Sequence, residues 1–196
     1  SLVPFVPLLG FLLVALNTKR LSESAASVIA CGAILVSFLI SILLFVNVTN
    51  IPDADKAIHV TLFNWIAAGN FSATLSFLVD PLSVLMMLII TGVGFLIHVY
   101  SIGYMHGDAG FNRFFSYLNL FVFFMLLLVM GANYLVMFIG WEGVGLCSYL
   151  LIGFWFKNQA YNDAANKAFI MNRIGDLGML LGVILIFVHV GSIQYT

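Results

Sequence analysis

The chain has 196 residues, of which 63% are hydrophobic and 8% are charged, and its formal net charge is -1. Because an average soluble domain carries roughly 25% charged residues, a water-soluble core of this size could not bury so much apolar surface. The charge balance also provides no basic face for nucleic acid and no acidic face for a cationic partner. We therefore expect an integral membrane protein that meets its partners, the lipid bilayer included, within the membrane or at its rims.

Six apolar segments are candidate spanning helices, since a hydrocarbon core about 30 Å thick requires roughly 20 apolar residues in a helix. The first segment is short and contains two prolines, but it lacks the basic residues and the cleavage site of a signal peptide. Asp80 and Pro81 begin the third segment with a capping carboxylate and a proline at the first helical position. The predicted fold class is all-α, a polytopic transmembrane bundle of about six helices. The six segments are 2–16, 25–48, 81–102, 114–130, 134–156 and 164–190.

One long connection, residues 49–79, separates the second and third segments. It combines Asp53, Asp55 and Lys56 with the alternating stretch 59–63, which is typical of short strands or a hairpin on the membrane surface. We expect three parts, namely helices 1 and 2 in 1–48, an extracytoplasmic surface segment in 49–79, and helices 3 to 6 with buried charges in 80–196. Since no closing element follows the sixth segment, we also expect a fragment of a longer polypeptide.

The distribution of cations predicts the orientation, because cytoplasmic loops carry an excess of lysine and arginine. The side opposite to the long connection bears most of them, whereas the long connection itself contributes only Lys56. Both ends of the chain are therefore predicted to be extracytoplasmic. The cations in or beside the first, third and fifth connections are Lys19, Arg20, Arg113, Lys157 and Lys167.

Three charged residues lie too deep in the predicted spans for any loop to accommodate them, Glu142 in the fifth and Arg173 with Asp176 near the middle of the sixth. Each costs about 2.5 to 3.5 kcal/mol at the bilayer centre, so all three must face the bundle interior or a hydrated cavity. Arg173 and Asp176 are one helical turn apart, with Asn172 one turn before Asp176. An ion pathway is the favoured interpretation, and a buried ion pair that only locks helices together is the alternative.

Other polar residues receive structural interpretations. His98 lies near two tyrosines at the end of the third segment, which favours an interfacial anchor over a proton relay. Lys167 is four residues after Asp163 and is expected to form an ion pair with it. Cys31 and Cys147 lie in apolar runs and are expected to be packing residues. The remaining histidines, expected at the surface or rim, are His59, His106 and His189.

The glycines of 140–145 do not indicate a nucleotide site, because they lie within one spanning segment rather than between a strand and a helix. Glycine in a membrane helix instead permits close helix packing or leaves room for water beside a carboxylate. No spacing of histidine, cysteine and acidic residues predicts a metal site, and no nucleophile has a base at a suitable interval. No redox chemistry is therefore assigned to this chain.

Four longer motifs carry a family resemblance: GVGFLIHVYSIGYM at 92–105, RFFSYLNLF at 113–121, GWEGVGLCSYLLIGF at 140–154 and KAFIMNRIGD at 167–176. Together they resemble the antiporter-like chain L, or subunit 5, of the proton-pumping NADH-quinone oxidoreductase, respiratory complex I. By position, Glu142 matches the glutamate of the family's fifth helix that modulates a lysine, and Arg173 with Asp176 match the charged pair of its sixth. The resemblance places that lysine in a seventh helix, beyond the segments of this chain.

The resemblance implies a membrane subunit that takes part in proton translocation coupled to electron transfer from NADH to quinone, with Glu142, Arg173 and Asp176 as the translocation and coupling residues. It implies other membrane subunits of complex I as partners, and it places NADH, FMN, iron–sulfur clusters and quinone in those partners rather than in this chain. A bacterial inner membrane is expected over a mitochondrial or plastid one. The large subunit of an Mrp-type Na+/H+ antiporter, which shares much of the pattern, is the alternative. A purely structural scaffold is disfavoured by the embedded charges.

Overall fold

The computed structural model describes residues 2–50, 57–68 and 71–195. Within these ranges, six helices and one antiparallel hairpin follow one another, which confirms the predicted helical bundle with a surface hairpin between its second and third helices. The predicted loop charges Asp53, Asp55 and Lys56 lie outside the described residues. The elements are α1 Phe5–Leu16, α2 Glu23–Asn50, β1 Ile58–Ala68, β2 Phe71–Val79, α3 Pro81–Tyr104, α4 Phe111–Met130, α5 Tyr134–Ile152 and α6 Gln159–Val190.

Helices α2 to α6 are each long and apolar enough to cross a membrane. The chain is therefore a multi-pass membrane protein. Helix α1 has 12 residues, which corresponds to about 18 Å at 1.5 Å per residue and is shorter than a hydrocarbon core of about 30 Å. The first of the six predicted segments is thus helical but shorter than the other five.

The start of α3 has the predicted cap. The backbone N–H of Ser83 donates to the Asp80 carboxylate at 2.8 Å, and the Ser83 hydroxyl accepts from the Asp80 N–H at 2.8 Å. Pro81 occupies the first turn, where a missing N–H leaves no intrahelical bond unmade. This reciprocal pair fixes the point at which the hairpin ends and the membrane helix begins.

Helix α4 packs on α1, α2 and α3, and α2 also packs on α1 and α3. Helix α5 packs on α4, and α6 packs on α5. The approach of α5 to α4 depends on two glycines. A Cβ placed on Gly140 would lie 2.4 Å from the backbone nitrogen of Leu128, and one on Gly143 would lie 2.1 Å from the Phe124 ring. Such distances are too short for any larger residue, so the close approach requires glycine at both positions.

One end of the bundle is joined by a small network around Asn133, in the turn between α4 and α5. The buried Asn133 side chain donates to the carbonyl of Thr74 in β2 at 2.8 Å and accepts from the N–H of Val136 at 2.9 Å. The Tyr134 N–H donates to the carbonyl of Ile193, after α6, at 3.1 Å. The hairpin, the α4–α5 turn and the segment after α6 therefore meet at this end.

The opposite end contains the α1–α2, α3–α4 and α5–α6 connections, and we call it the cationic end. The Asn112 side chain donates to the carbonyls of Thr18 and Leu21, both at 2.9 Å. The Arg113 guanidinium donates to the carbonyl of Phe154 at 3.2 Å. These contacts bring the three connections together. The cations at this end are Lys19, Arg20, Arg113 and Lys157.

Candidate functional site

The structure brings the three predicted ionisable residues together between the middles of α5 and α6. The Arg173 guanidinium pairs with the carboxylate of Glu142 across the two helices. The same nitrogen, Nη1, lies 3.6 Å from Oδ2 of Asp176, one turn further along α6. One cation therefore stands between two carboxylates, and we call these three residues the charge cluster.

Asp176 is the most buried member of the charge cluster, with 8% of its side chain exposed. Its second carboxylate oxygen, Oδ1, accepts a hydrogen bond from the indole N–H of Trp141 at 2.7 Å. This hydrogen bond holds the Asp176 carboxylate against α5. Sequence reasoning missed Trp141, although its position next to Glu142 and its indole donor were visible signals. Helix α5 thus supplies both the carboxylate that faces Arg173 and the donor that holds Asp176.

Arg173 is partly exposed, at 43% of its side chain. Its guanidinium carbon lies 4.7 Å from the centroid of the Phe169 ring, one turn earlier on α6. That ring in turn contacts the Tyr149 ring at a centroid distance of 5.3 Å. Because a cation over an aromatic face is attracted by the ring quadrupole, Phe169 helps to hold the guanidinium between the two carboxylates.

A cavity of about 370 Å³ adjoins the charge cluster between α4, α5 and α6. Its polar lining comes from Trp141, Ser148, Asn172 and Asp176. Gly145 lines this cavity, and a Cβ on it would make an ordinary contact with the Asn172 amide nitrogen at 3.7 Å. Since one water occupies about 30 Å³ of liquid, several waters fit beside Asp176. Of the glycines in this segment, Gly145 has the predicted role of leaving room beside a carboxylate.

His98 is not the predicted interfacial anchor. It is 1% exposed, and its Nδ1 lies 2.7 Å from the carbonyl of Gly94. Since a carbonyl only accepts, Nδ1 carries the proton, and Nε2 is left as the acceptor for the Asn119 amide at 3.5 Å. The stacked rings of Tyr100 and Tyr104 are exposed. Two residues along a helix turn the side chain by about 200°, so His98 points inward while Tyr100 points outward.

Of the remaining predictions, those for the cysteines and three histidines agree with the structure, and the one for Lys167 does not. Cys31 and Cys147 are buried, as expected of packing residues, and the other three histidines are exposed as predicted. The predicted ion pair between Lys167 and Asp163 is wrong, because within the described ranges Asp163 accepts instead from the Gln159 amide at 2.9 Å. Gln159 is four residues before Asp163 on the same face and begins α6, which is longer at this end than predicted.

Two family models match the chain. Residues 65–115 match "NADH-Ubiquinone oxidoreductase (complex I), chain 5 N-terminus", and residues 131–196 match "NADH:quinone oxidoreductase/Mrp antiporter, TM". Together the two matches include most of the chain and all three residues of the charge cluster.

Curated relatives with the name NADH-quinone oxidoreductase subunit L match nearly the whole chain. The Campylobacter jejuni protein is 47% identical over 98% of this chain and 30% of its own length. The Pseudomonas aeruginosa protein is 43% identical over 96% of this chain and 31% of its own length. The Escherichia coli protein is 37% identical over 100% of this chain and 32% of its own length. The chain thus spans about a third of the length of these relatives.

Two solved structures share the fold. A chain of the membrane-bound sulfane sulfur reductase, an archaeal respiratory membrane complex, superposes with a TM-score of 0.83 at 18% identity, over 98% of this chain and 38% of that chain. A chain of the Mrp complex from a Dietzia species superposes with a TM-score of 0.75 at 21% identity, over 99% of this chain and 20% of that chain. The arrangement of α1 to α6 with its hairpin is therefore shared among different membrane complexes.

Proposed function

Because the chain belongs to the antiporter-like family of membrane subunits, we propose that it takes part in proton translocation within an NADH-quinone oxidoreductase, coupled to electron transfer from NADH to quinone. The charge cluster is the observation that supports this function. Its members lie near the middles of two spanning helices, where ionisable residues are rare and mark ion pathways.

The charges of the cluster do not balance. Glu142 and Asp176 together carry two negative charges when ionised, and Arg173 supplies one positive charge. A net charge inside the membrane is costly, so a proton or a second cation is needed to neutralise it. Two unit charges 4 Å apart interact by about 4 kcal/mol at an effective dielectric constant of 20. Moving one charge against roughly 150 mV requires about 3.5 kcal/mol. The interaction energy of a carboxylate with one nearby cation is of the same size, so arrival or departure of that cation can drive proton binding and release.

We assign different roles to the two carboxylates. Glu142 has one described partner in the charge cluster, Arg173, and 22% of its side chain is exposed; it is the group that exchanges a proton in response to a cation supplied by the rest of the subunit. Asp176 is held by Trp141 and lies beside Arg173; it tunes the coupling to an adjacent subunit. These roles agree with the greater burial and the additional hydrogen bond of Asp176.

Partners and orientation complete the proposal. The exposed part of Arg173 cannot face lipid without a cost of about 2.5 to 3.5 kcal/mol, so further helices of the same subunit or other membrane subunits of the complex cover it. NADH, FMN, iron–sulfur clusters and quinone are bound by those other subunits, and this chain carries no redox centre. The cationic end lies in the cytoplasm of a bacterium and the hairpin lies on the outer side of its inner membrane.

The substitution Glu142→Gln in the full-length subunit of the assembled complex tests the proposal. Inverted membrane vesicles receive NADH, proton uptake is read as quenching of a pH-sensitive dye, and quinone reduction is followed in parallel. We expect loss of both signals with assembly intact, because glutamine keeps the shape of the side chain but binds no proton. Glu23→Gln is the matched control, since Glu23 lies at the cationic end beside His106. Full pumping by Glu142→Gln would show that Glu142 is only a structural charge.

A cation/proton antiporter of the Mrp type is the second candidate, since one matching family model and one shared fold include Mrp proteins. The same vesicles distinguish the two functions. If the wild-type protein gives no response to NADH but dissipates a proton gradient on addition of Na+, the antiporter function replaces the one proposed. The charge cluster would then hold a proton and Na+ in alternation.

A further inference from the structure

The cationic end contains a polar cavity that lies apart from the charge cluster. The cavity has a volume of about 190 Å³ and lies between the start of α4, the end of α5 and the start of α6. Its polar lining comes from Arg113, Tyr117, Tyr149 and Asn162. We call it the rim cavity.

Arg113 is held in place without a carboxylate partner. Its guanidinium carbon lies 4.8 Å from the Phe154 ring centroid and 5.1 Å from that of Phe156, and one nitrogen donates to the Phe154 carbonyl at 3.2 Å. In the part of the chain that the structure describes, no acidic side chain lies within ion-pair distance of it. Guanidinium has five N–H donors in a rigid fork that matches phosphate, so most of them remain to bind an anion.

The nearest acidic residue is engaged elsewhere. Asp108 accepts from the Trp155 indole N–H at 3.0 Å and from the Gly110 N–H at 2.7 Å. It lines a neighbouring cavity rather than the rim cavity, and Arg113 lines that neighbouring cavity as well. Of the groups that lower the Asp108 pKa, the Trp155 indole has the largest effect and the Arg113 charge is the last, but within the described residues Asp108 and Arg113 form no ion pair. Since Asp108 does not line the rim cavity, it does not supply an anion there.

Two phenol groups add further donors. Tyr117 and Tyr149 line the rim cavity, and among the described residues neither hydroxyl has a hydrogen-bond partner. One arginine and two tyrosines thus line one small space. Three donors around a space that holds a few water molecules are suited to the oxygens of a phosphate group.

The residues around the rim cavity are aromatic and cationic, as is typical of the membrane–water interface. Trp155 and Phe156 are exposed at 43% and 55%, and Lys157 follows them directly in the α5–α6 connection. Aromatic side chains and cations collect at headgroup depth, and basic pockets between helices on the cytoplasmic side bind anionic headgroups. The donors of the rim cavity are therefore at the depth where lipid phosphates lie.

We propose that the rim cavity binds the phosphate of an anionic phospholipid headgroup. Arg113 binds the phosphate oxygens, Tyr117 and Tyr149 donate to the same group, and Lys157, which lines the neighbouring cavity together with Arg113, adds positive charge nearby. The acyl chains extend along the apolar outer surface of the helices. The lipid then joins the ends of α4, α5 and α6 on the side where their connections meet.

The experiment uses the full-length complex, purified in neutral detergent and exchanged into vesicles of phosphatidylcholine with a minor fraction of phosphatidylglycerol. The phosphatidylglycerol retained after repurification is measured by mass spectrometry. Arg113→Gln is expected to lower its retention about tenfold, because the loss of one charge-assisted contact costs about 1.5 kcal/mol. Arg20→Gln removes the same charge from an exposed position at the same end and is expected to retain the lipid.

The other outcomes would overturn the proposal. Equal losses in Arg113→Gln and Arg20→Gln would indicate general attraction to the cationic end, and displacement of the lipid by inorganic phosphate would indicate a site for a soluble anion. If Arg113→Gln prevents assembly, Tyr117→Phe replaces it, since this change removes a donor and keeps the ring. Retention by Tyr117→Phe equal to that of the wild type would then refute the site.

Discussion

Replacing Gly140 by alanine tests whether the contact between α4 and α5 limits the stability of the bundle. The new Cβ would lie 2.4 Å from the Leu128 nitrogen and 2.6 Å from its Cα, whereas carbon atoms in contact are about 3.5 to 4.0 Å apart. The obstacle is backbone, so the helices must separate locally by about 1 Å, and such overpacking costs about 1 to 3 kcal/mol. The higher helix propensity of alanine stabilises the helix by about 0.8 to 1.0 kcal/mol relative to glycine and offsets part of this cost.

Gly145→Ala is the matched control for this prediction. It lies on the same helix and receives the same gain in propensity, but the nearest atom to its new Cβ is the Asn172 amide nitrogen at 3.7 Å, an ordinary contact. The free energy of unfolding of the two variants should therefore differ by about 1 to 3 kcal/mol, or about 5- to 150-fold in the folded-to-unfolded ratio. Titration of the full-length subunit with a denaturing detergent, followed by tryptophan fluorescence, measures the difference. Equal stabilities would refute the close approach of α4 and α5.

Two further predictions concern the ends of the bundle. Asn133→Ala should lower the free energy of unfolding by about 1 to 3 kcal/mol, since it leaves the Thr74 carbonyl and the Val136 N–H without partners; the same titration measures this, and an unchanged midpoint would contradict it. The Trp155 indole, followed by the Gly110 N–H, holds the pKa of Asp108 below its ordinary value. A pKa lowered by folding contributes stability above the unfolded pKa of about 3.9, and this contribution is lost as pH falls through the folded pKa. Trp155→Phe should therefore raise the Asp108 pKa, as measured by carboxyl NMR titration, and an unchanged titration curve would exclude the indole as its cause.

The ends of the helices show the limits of reading spans from hydropathy. The fifth segment was predicted to run to 156, but α5 ends at Ile152, and Gly153 follows as its cap. The sixth was predicted to begin at 164, but α6 begins at Gln159, where the Asn158 side chain caps the helix by accepting from the Ala160 N–H at 3.0 Å. Apolar content alone therefore misses the polar first turn of α6, and it counts the apolar residues 154–156 that follow the glycine at the end of α5.

The charge cluster was only partly visible in the sequence. Spacing along one helix places Arg173 beside Asp176, because residues three apart share a face. The pairing of Arg173 with Glu142 joins two helices, so it depends on how α5 and α6 are aligned. For the same reason the contact from Trp141 to Asp176 could not be derived from spacing, and His98 could not be placed against Asn119 on α4 without knowing which face of α3 is inward.

The segment around Glu142 contacts α4 with one face of α5 and contributes to the charge cluster with the other. At about 100° per residue, Trp141, Glu142 and Gly145 project to the side of the helix roughly opposite to Gly140 and Gly143. The two glycines press against α4, while Glu142 reaches Arg173 on α6 and Gly145 borders the cavity next to Asp176. Because one turn of helix carries both sets of residues, the separation between the α4 contact and the ion pair is fixed by the helix itself. A change in how closely α5 packs on α4 therefore moves Glu142 relative to α4, and α6, which packs on α5, moves with it. The glycines thus set the position of the charge cluster against the α4 side of its cavity.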